Sequence, residues 1–425
     1  MAEICALIKI HGNHADHSQT WLEDCAMCTC RHRHSIFCVL PPYILKSIQK
    51  NGSKEQVEAA INTLSVDSTF RSVRLNLTAA VSPAQRERRV LGPAQSKQRT
   101  IYTADNVETL PGKAVRTEGA GPSGDVAVDE AYDGLGHTFD FFSEIFDRNS
   151  IDDEGMPLNA TVHYGPRYSN AFWNGQRMVF GDGDGELFNR FTIALDVIGH
   201  ELGHGVTEDE TGLVYLFQSG ALNEHLSDVW GSLIKQWYLR QTSDQADWLI
   251  GAGLLADGVK GQALRSMKKP GSAFDDPVLG RDPQPGHMDD YEETYADNGG
   301  VHINSGIPNR AFYLAATSVG GYAWEKIGRV WYETIRSKRV KQDTKFKEFA
   351  NLTVATALRT PGCGPIEQKA IAEAWAEVGV LEKVAPKTTR AVTTRSSRQP
   401  ARMFEAQRGG RDGDASSSTS NGSGR

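Results

Sequence analysis

One pentapeptide constrains this chain more than any other feature: His200-Glu201-Leu202-Gly203-His204. Positions i and i+4 share a helix face, so two imidazoles at this spacing can reach one ion, with Glu201 beside them. The residues leading into the motif support a helix, because Phe191, Ala194, Leu195 and Ile198 recur at helical spacing. A second helical pattern follows, with Leu222, Leu226, Val229 and Leu233 on one face and Glu224 and Asp228 together on another. If that second face packs on the motif helix, it can complete the coordination. Zinc takes nitrogen ligands at about 2.0–2.1 Å in a tetrahedral shell, and a catalytic site keeps one position for water. Glu224 could be the third ligand, with Asp228 holding a ligand histidine by its other ring nitrogen. Two acids at this spacing also describe an ordinary solvated face, and spacing alone leaves both readings open.

The rest of the chain bounds the setting. Of 425 residues, 39% are apolar and 23% charged, which permits a sizeable core, and the net charge of −7 gives no reason to expect a nucleic acid or an anionic membrane surface as partner. No apolar run is long enough to span a bilayer. The first residues make a poor export signal, with Glu3 where a positive charge belongs and His11, Asn13 and His14 following a short apolar stretch. Five of six cysteines (Cys5, Cys25, Cys28, Cys30 and Cys38) fall within the first forty residues, so the body does not rely on disulfides.

Four regions separate by composition. Residues 1–100 form a leader and linker, Cys- and His-rich at first, carrying Pro41-Pro42-Tyr43-Ile44-Leu45, a short helical pattern over Glu55 to Leu64, and a basic stretch, Gln85-Arg86-Glu87-Arg88-Arg89. Residues 101–205 are expected to be mostly strands and loops, with a strand at Ala160-Thr161-Val162-His163-Tyr164 and the motif helix at the end. Residues 206–383 read as helical, closing with a helix over Ala370 to Val378 that stops at Gly379. Residues 384–425, rich in Arg, Ser, Thr and Gly, cannot bury enough surface to fold and are expected to be disordered.

Several blocks in a fixed order carry a resemblance. They are Asn170-Ala171-Phe172-Trp173-Asn174-Gly175, Gly181 to Gly185, the motif with Gly205-Val206-Thr207, Gly212-Leu213-Val214-Tyr215, Ser219 to Asp228, Arg265-Ser266-Met267, and Asp297 to Gly306. Together they resemble the thermolysin family of neutral metallopeptidases. The resemblance implies an α+β fold of two lobes, β-rich then helical, with the zinc-binding helix between them. It implies a zinc endopeptidase acting on protein or peptide substrates, with His200, His204 and Glu224 as metal ligands and Glu201 as the catalytic base. Tyr215 and His302 would stabilise the developing oxyanion, Asp297 would orient His302, and Asp228 would support a ligand histidine. Asn170, the backbone of Ala171 and Arg265 would hold the substrate chain. Cleavage would fall on the amino side of bulky apolar residues, with Val197 and Leu264 as candidate walls of that pocket. Family members are secreted, which this N-terminus does not favour, leaving cytoplasmic storage or non-classical export open; a monomer is expected.

Two departures sharpen the resemblance. Where the family's double calcium site would need a bridging carboxylate stands Lys235, so that Ca²⁺ site is expected to be lost and Lys235 to pair with Asp196. The short leader and its Pro-Pro element resemble the protealysin subgroup, which implies that the leader is an inhibitory propeptide covering the cleft until it is removed between about 50 and 105. Cys38, three residues before Pro41, suggests a latency ligand whose thiolate takes zinc's open position; an ordinary buried thiol is the other reading. Cys25, Cys28, Cys30, His32 and His34 have the density of a second metal site but match no spacing of a known one.

Overall fold

The computed structural model describes residues 37–80 and 96–383. The Cys25–His34 cluster, the basic stretch at 85–89 and the tail beyond 383 lie outside the described residues. The first lobe is built on a six-stranded sheet in the order β1-β5-β6-β4-β2-β3, where β1 is Phe37–Cys38, β2 Arg99–Thr103, β3 Lys113–Thr117, β4 Leu158–Val162, β5 Ala171–Trp173 and β6 Arg177–Phe180. The β2–β4 and β4–β6 pairs are parallel, and the remaining pairs antiparallel. The leader therefore supplies an edge strand of this sheet. It continues into helix α1 (Pro42–Asn51), with Pro42 in the first turn, where a missing N–H costs nothing, and then into α2 (Lys54–Ala80). Helix α2 is much longer than the Glu55–Leu64 pattern.

The expectation of strands and loops before the motif is corrected by α3 (Val126–Phe146), a helix of 21 residues packed on the sheet. Asp125 caps it by accepting from Ala127 and Val128 N–H, and buried Val128, Tyr132, Leu135, Phe139, Phe142 and Phe146 follow the 3–4 repeat. Gly134 and Gly136 lie inside this helix. They are points of close approach, Gly134 to Ile198 and Gly136 to Arg99.

Helices α4 (Leu195–Thr211) and α5 (Phe217–Leu239) cross at the centre of the molecule. Their separation is set by glycine: a Cβ on Gly231 would lie 2.2 Å from the Asp196 carbonyl oxygen, and one on Gly199 would lie 2.7 Å from Ile234. The second lobe adds α6 (Asp297–Asn304), α7 (Gly306–Val319), α8 (Ile327–Arg336), α9 (Phe346–Ala357) and α10 (Pro365–Glu377) around a core containing Trp331, Phe349 and Trp375. The last helix is stopped by Gly379 at positive φ, as the pattern predicts. The fold is thus α+β and two-lobed, with the motif helix running between sheet and helices.

Candidate metal centre and cleft

Helix α4 carries His200, Glu201 and His204, all fully buried, with their ligand atoms within 4.8 Å of one another. The His200 Nδ1 faces Asp228 Oδ1 at 2.8 Å, and the His204 Nδ1 faces Asn223 Oδ1 at 2.7 Å. Both partners are acceptors, so each ring keeps its hydrogen on Nδ1 and presents a lone pair at Nε2. The two Nε2 atoms lie 3.1 Å apart. Glu224, from α5, lies 3.5 Å from each Nε2, and its buried Oε2 has no hydrogen-bond partner. Two facing lone pairs beside a buried carboxylate repel one another unless a cation sits between them, and nitrogen and oxygen donors in this number suit zinc. The open alternative for Glu224 and Asp228, a solvated face, is excluded by their complete burial.

Asp228 is gripped from three sides. It accepts from His200, from Arg265 Nε and Nη2 at 2.9 and 2.8 Å, and from Asn309 Nδ2 at 2.8 Å. Burial would push its carboxyl up, but the Arg265 guanidinium and His200 outweigh it and hold the group well below the usual carboxylate range. Asn309 in turn is tied to His225, whose imidazole donates to Asn309 Oδ1 and accepts from the Trp331 indole. Burial lowers the His225 pKa to about 4, so this ring is neutral.

Around the motif stand the remaining expected residues. Glu201 Oε2 accepts from the Trp173 backbone N–H at 3.1 Å. The Tyr215 hydroxyl donates to Glu224 and lies 3.2 Å from His302 Nε2. His302 is oriented by Asp297, which accepts from its Nδ1 at 2.7 Å and from its backbone N–H at 3.0 Å. That reach depends on an unusual turn: Asp297, Asn298, Gly299 and Gly300 all have positive φ, folding the start of α6 back on itself.

The leader runs through this arrangement. Antiparallel pairing sets Phe37 opposite Trp173 and Cys38 opposite Phe172. The Cys38 carbonyl lies 3.1 Å from His302 Nε2. Val39 donates its N–H to the Ala171 carbonyl at 3.2 Å and accepts from Arg265 Nη1 at 3.0 Å. Leu40 donates to Asn170 Oδ1 at 2.9 Å. Val39 is fully buried, as are Val197 and Leu264. The reading of Cys38 as an ordinary buried thiol is the one its surroundings favour: its side chain shares the face of Phe172 and packs in a cluster with Tyr164, Tyr168 and Val179, while its carbonyl meets His302.

Residues that sequence reading passed over complete the clamp. Buried Asp67 of α2 accepts from the Tyr168 hydroxyl at 2.7 Å and from Asn170 Nδ2 at 2.8 Å, and Thr63 accepts from Ser169 N–H at 3.1 Å. Thr63 and Asp67 stand at i and i+4 among the apolar residues of α2, the one signal that could have singled them out. At the far end of the α4–α5 crossing, Lys235 Nζ lies 2.7 Å from Asp196 and 2.9 Å from Asp247, and donates to the Leu249 carbonyl at 2.8 Å. Burial works against this ammonium, but the two carboxylates outweigh it and raise its pKa.

Comparisons with known proteins agree with the geometry. Residues 59–208 match the model described as the thermolysin metallopeptidase catalytic domain, and residues 211–380 the one described as its alpha-helical domain. An extracellular metalloprotease of Pectobacterium carotovorum is 54% identical over 81% of this chain and 96% of its own length. Protease PrtS of a Photorhabdus strain is 51% identical, over 81% of this chain and 92% of its own. The solved precursor of protealysin, a metalloproteinase from Serratia proteamaculans, superposes with a TM-score of 0.73 at 54% identity, covering 81% of this chain and all of that one.

Proposed function

The chain belongs to the thermolysin family of zinc metallopeptidases, and from that premise we propose that it is a latent endopeptidase. Its own leader fills the cleft, and its cuts fall on the amino side of bulky apolar residues. The observation that carries this reading is the path of the leader, which is bonded backbone to protein at Ala171, Asn170, Arg265 and His302 as an extended peptide would be.

Zinc held by His200, His204 and Glu224 would polarise the scissile carbonyl and bring its water's pKa toward about 7. The chain's own residues do the rest. Glu201, fixed by the Trp173 N–H, takes the proton from the attacking water and returns it to the leaving amine. His302 Nε2 faces the carbonyl oxygen and, as the imidazolium, donates to it more strongly as charge grows there, with the Tyr215 hydroxyl beside it; removing one such donor typically costs about 10²–10³ in rate. Arg265 and Asn170 hold the next two residues of the substrate, and Asp228 keeps His200 and Arg265 in place. The complete burial of the Val39 side chain supports an apolar pocket for the residue after the cut, with Val197 and Leu264 as its proposed walls.

The test is casein hydrolysis by the full-length chain over time, with Glu201→Ala as control and the cut sites of a mixed peptide substrate read by mass spectrometry. A lag followed by activity, an inert control and cuts before Val, Leu, Ile or Phe are expected. Control activity within tenfold of wild type would remove Glu201 from its role, and cuts before charged residues would remove the pocket. The relatives' extracellular character supports export of this protein too; finding it only inside lysed cells, never in the medium, would oppose that. Calcium is not needed at the Lys235 position in this reading, and the protein acts as a monomer, which gel filtration checks.

A further inference from the structure

We propose that the Cys38–Val39 peptide bond is a substrate of the same cleft, hydrolysed within its own molecule. This rests on the endopeptidase reading and adds to it a specific bond and a specific order of events. The register alone selects the bond. The Cys38 carbonyl oxygen is the one that faces His302 Nε2, at 3.1 Å, in the place where oxyanion donors belong. On the other side of that bond, the Val39 N–H is fixed on the Ala171 carbonyl, the Val39 carbonyl on Arg265, and the Leu40 N–H on Asn170. One step along the strand in either direction would put a side chain of opposite facing at the catalytic residues, because alternate residues point to opposite sides of the sheet. The antiparallel pairing of Phe37 with Trp173 and Cys38 with Phe172 leaves no such freedom.

The step balances as a simple hydrolysis. A water oxygen bonds to the Cys38 carbonyl carbon, the bond from that carbon to the Val39 nitrogen breaks, and Glu201 carries the water's proton to that nitrogen. The second proton follows to the same nitrogen, so the products are a Cys38 carboxylate and a Val39 ammonium. Holding the bond in place supplies the orientation that free substrates must find by diffusion.

The cut does not by itself open the cleft. Val39 and Leu40 keep their bonds to Arg265 and Asn170, and α2 keeps Asp67 on Tyr168 and Asn170. The nicked chain is therefore a held product, and activity on other proteins appears later, once the segment from Val39 onward is lost. A nick ahead of activation also fits the chain's geography: Val39 lies before both leader helices, far in sequence from any cut in the linker that follows them.

The experiment uses the full-length chain prepared without zinc, then given zinc, with N-termini and intact masses followed at several protein concentrations and casein hydrolysis followed in parallel. A chain beginning at Val39 should appear before casein activity, with a first-order rate constant unchanged over a tenfold dilution, and should be absent from Glu201→Ala. Val39→Pro removes the N–H that Ala171 accepts and should slow the nick at least 100-fold; Val39→Ala keeps that N–H and should slow it less than tenfold. Circular dichroism and zinc content identify any variant that has not folded. If casein is hydrolysed but no chain beginning at Val39 ever forms, the self-cleavage is overturned and the endopeptidase reading stands. A nick whose rate constant rises with concentration overturns the intramolecular step. If neither the leader nor casein is cut with zinc bound, both readings fall.

Discussion

A single turn of α4 separates Asp196 from His200, and the clusters built on these two residues neutralise buried charge in opposite ways. Around Asp196 the chain brings its own cation: the Lys235 ammonium closes on Asp196, Asp247 and the Leu249 carbonyl. Around His200 the groups that face one another, from His200, His204 and Glu224, are donors of electron pairs, and the chain's nearest cation, Arg265, is engaged by Asp228, so a metal from solution would complete the charge balance. The same pair of helices thus holds one self-sufficient cluster and one dependent cluster. The difference separates stability from activity, since removing metal should empty the second without touching the first.

The comparison breaks most visibly at the dependent end. Glu224→Gln should lose zinc and reduce peptide hydrolysis by at least about 10³-fold, with little change in circular dichroism; zinc retained at one equivalent would show that Glu224 is not a ligand. At the self-sufficient end, Lys235→Met strands Asp196 in a buried position and should cost about 3–5 kcal/mol, read from urea unfolding. Adding calcium should not raise the melting temperature of the wild-type chain through this position, whereas Lys235→Glu gathers three carboxylates and should make it calcium-responsive. A calcium-dependent rise in the wild type that Lys235→Met abolishes would contradict the substitution of ammonium for metal. A smaller effect is expected from Asp228→Asn, which weakens the hold on His200 and should lower zinc affinity about 10–100-fold in competition with a chelator.

The smallest effect concerns a cation that can be switched off. His163 lies between Asp182, at 2.8 Å, and Asp125, the cap of α3, at 3.0 Å. The hydrogen bond to Asp182 leads in raising its pKa to about 9, against the effect of burial. A raised histidine pKa stabilises the fold fully below the unfolded value of about 6.5 and loses that contribution as pH climbs through about 9. His163→Gln should therefore flatten the decline in stability between those limits, by about 1–2 kcal/mol after allowance for solvent. A wild-type stability curve already flat there would remove His163 from this role.

Local chemistry was far more legible in the sequence than long-range pairing. The helical spacing of His200 and His204, the placement of Glu224 and Asp228 on the next helix, and the Lys235–Asp196 pair could all be read because each depends on the 3.6-residue repeat or on one substitution in a known block. Helix α3 lies where strands and loops are expected, and its two interior glycines, Gly134 and Gly136, are points of close packing on Ile198 and Arg99. The direction of Cys38 stays open in the sequence for a different reason. Whether its thiol or its carbonyl meets the catalytic residues depends on which residue of β5 it pairs with, and a register set across more than 130 positions leaves no trace in local composition. Asp67 escaped for the same cause, its partners Tyr168 and Asn170 being about a hundred residues away.

The position of β1 at the border of the sheet has a consequence for what the mature protein can digest. In the latent-precursor reading proposed above, loss of the leader would leave β5 an open border with its Ala171 carbonyl unclaimed, and an incoming chain would lie along it as a new strand. Helical or tightly folded stretches cannot offer several consecutive free backbone groups. Frayed termini, mobile loops and unfolded chains can, so the conformational state of a victim protein should govern its fate at least as much as its amino-acid sequence.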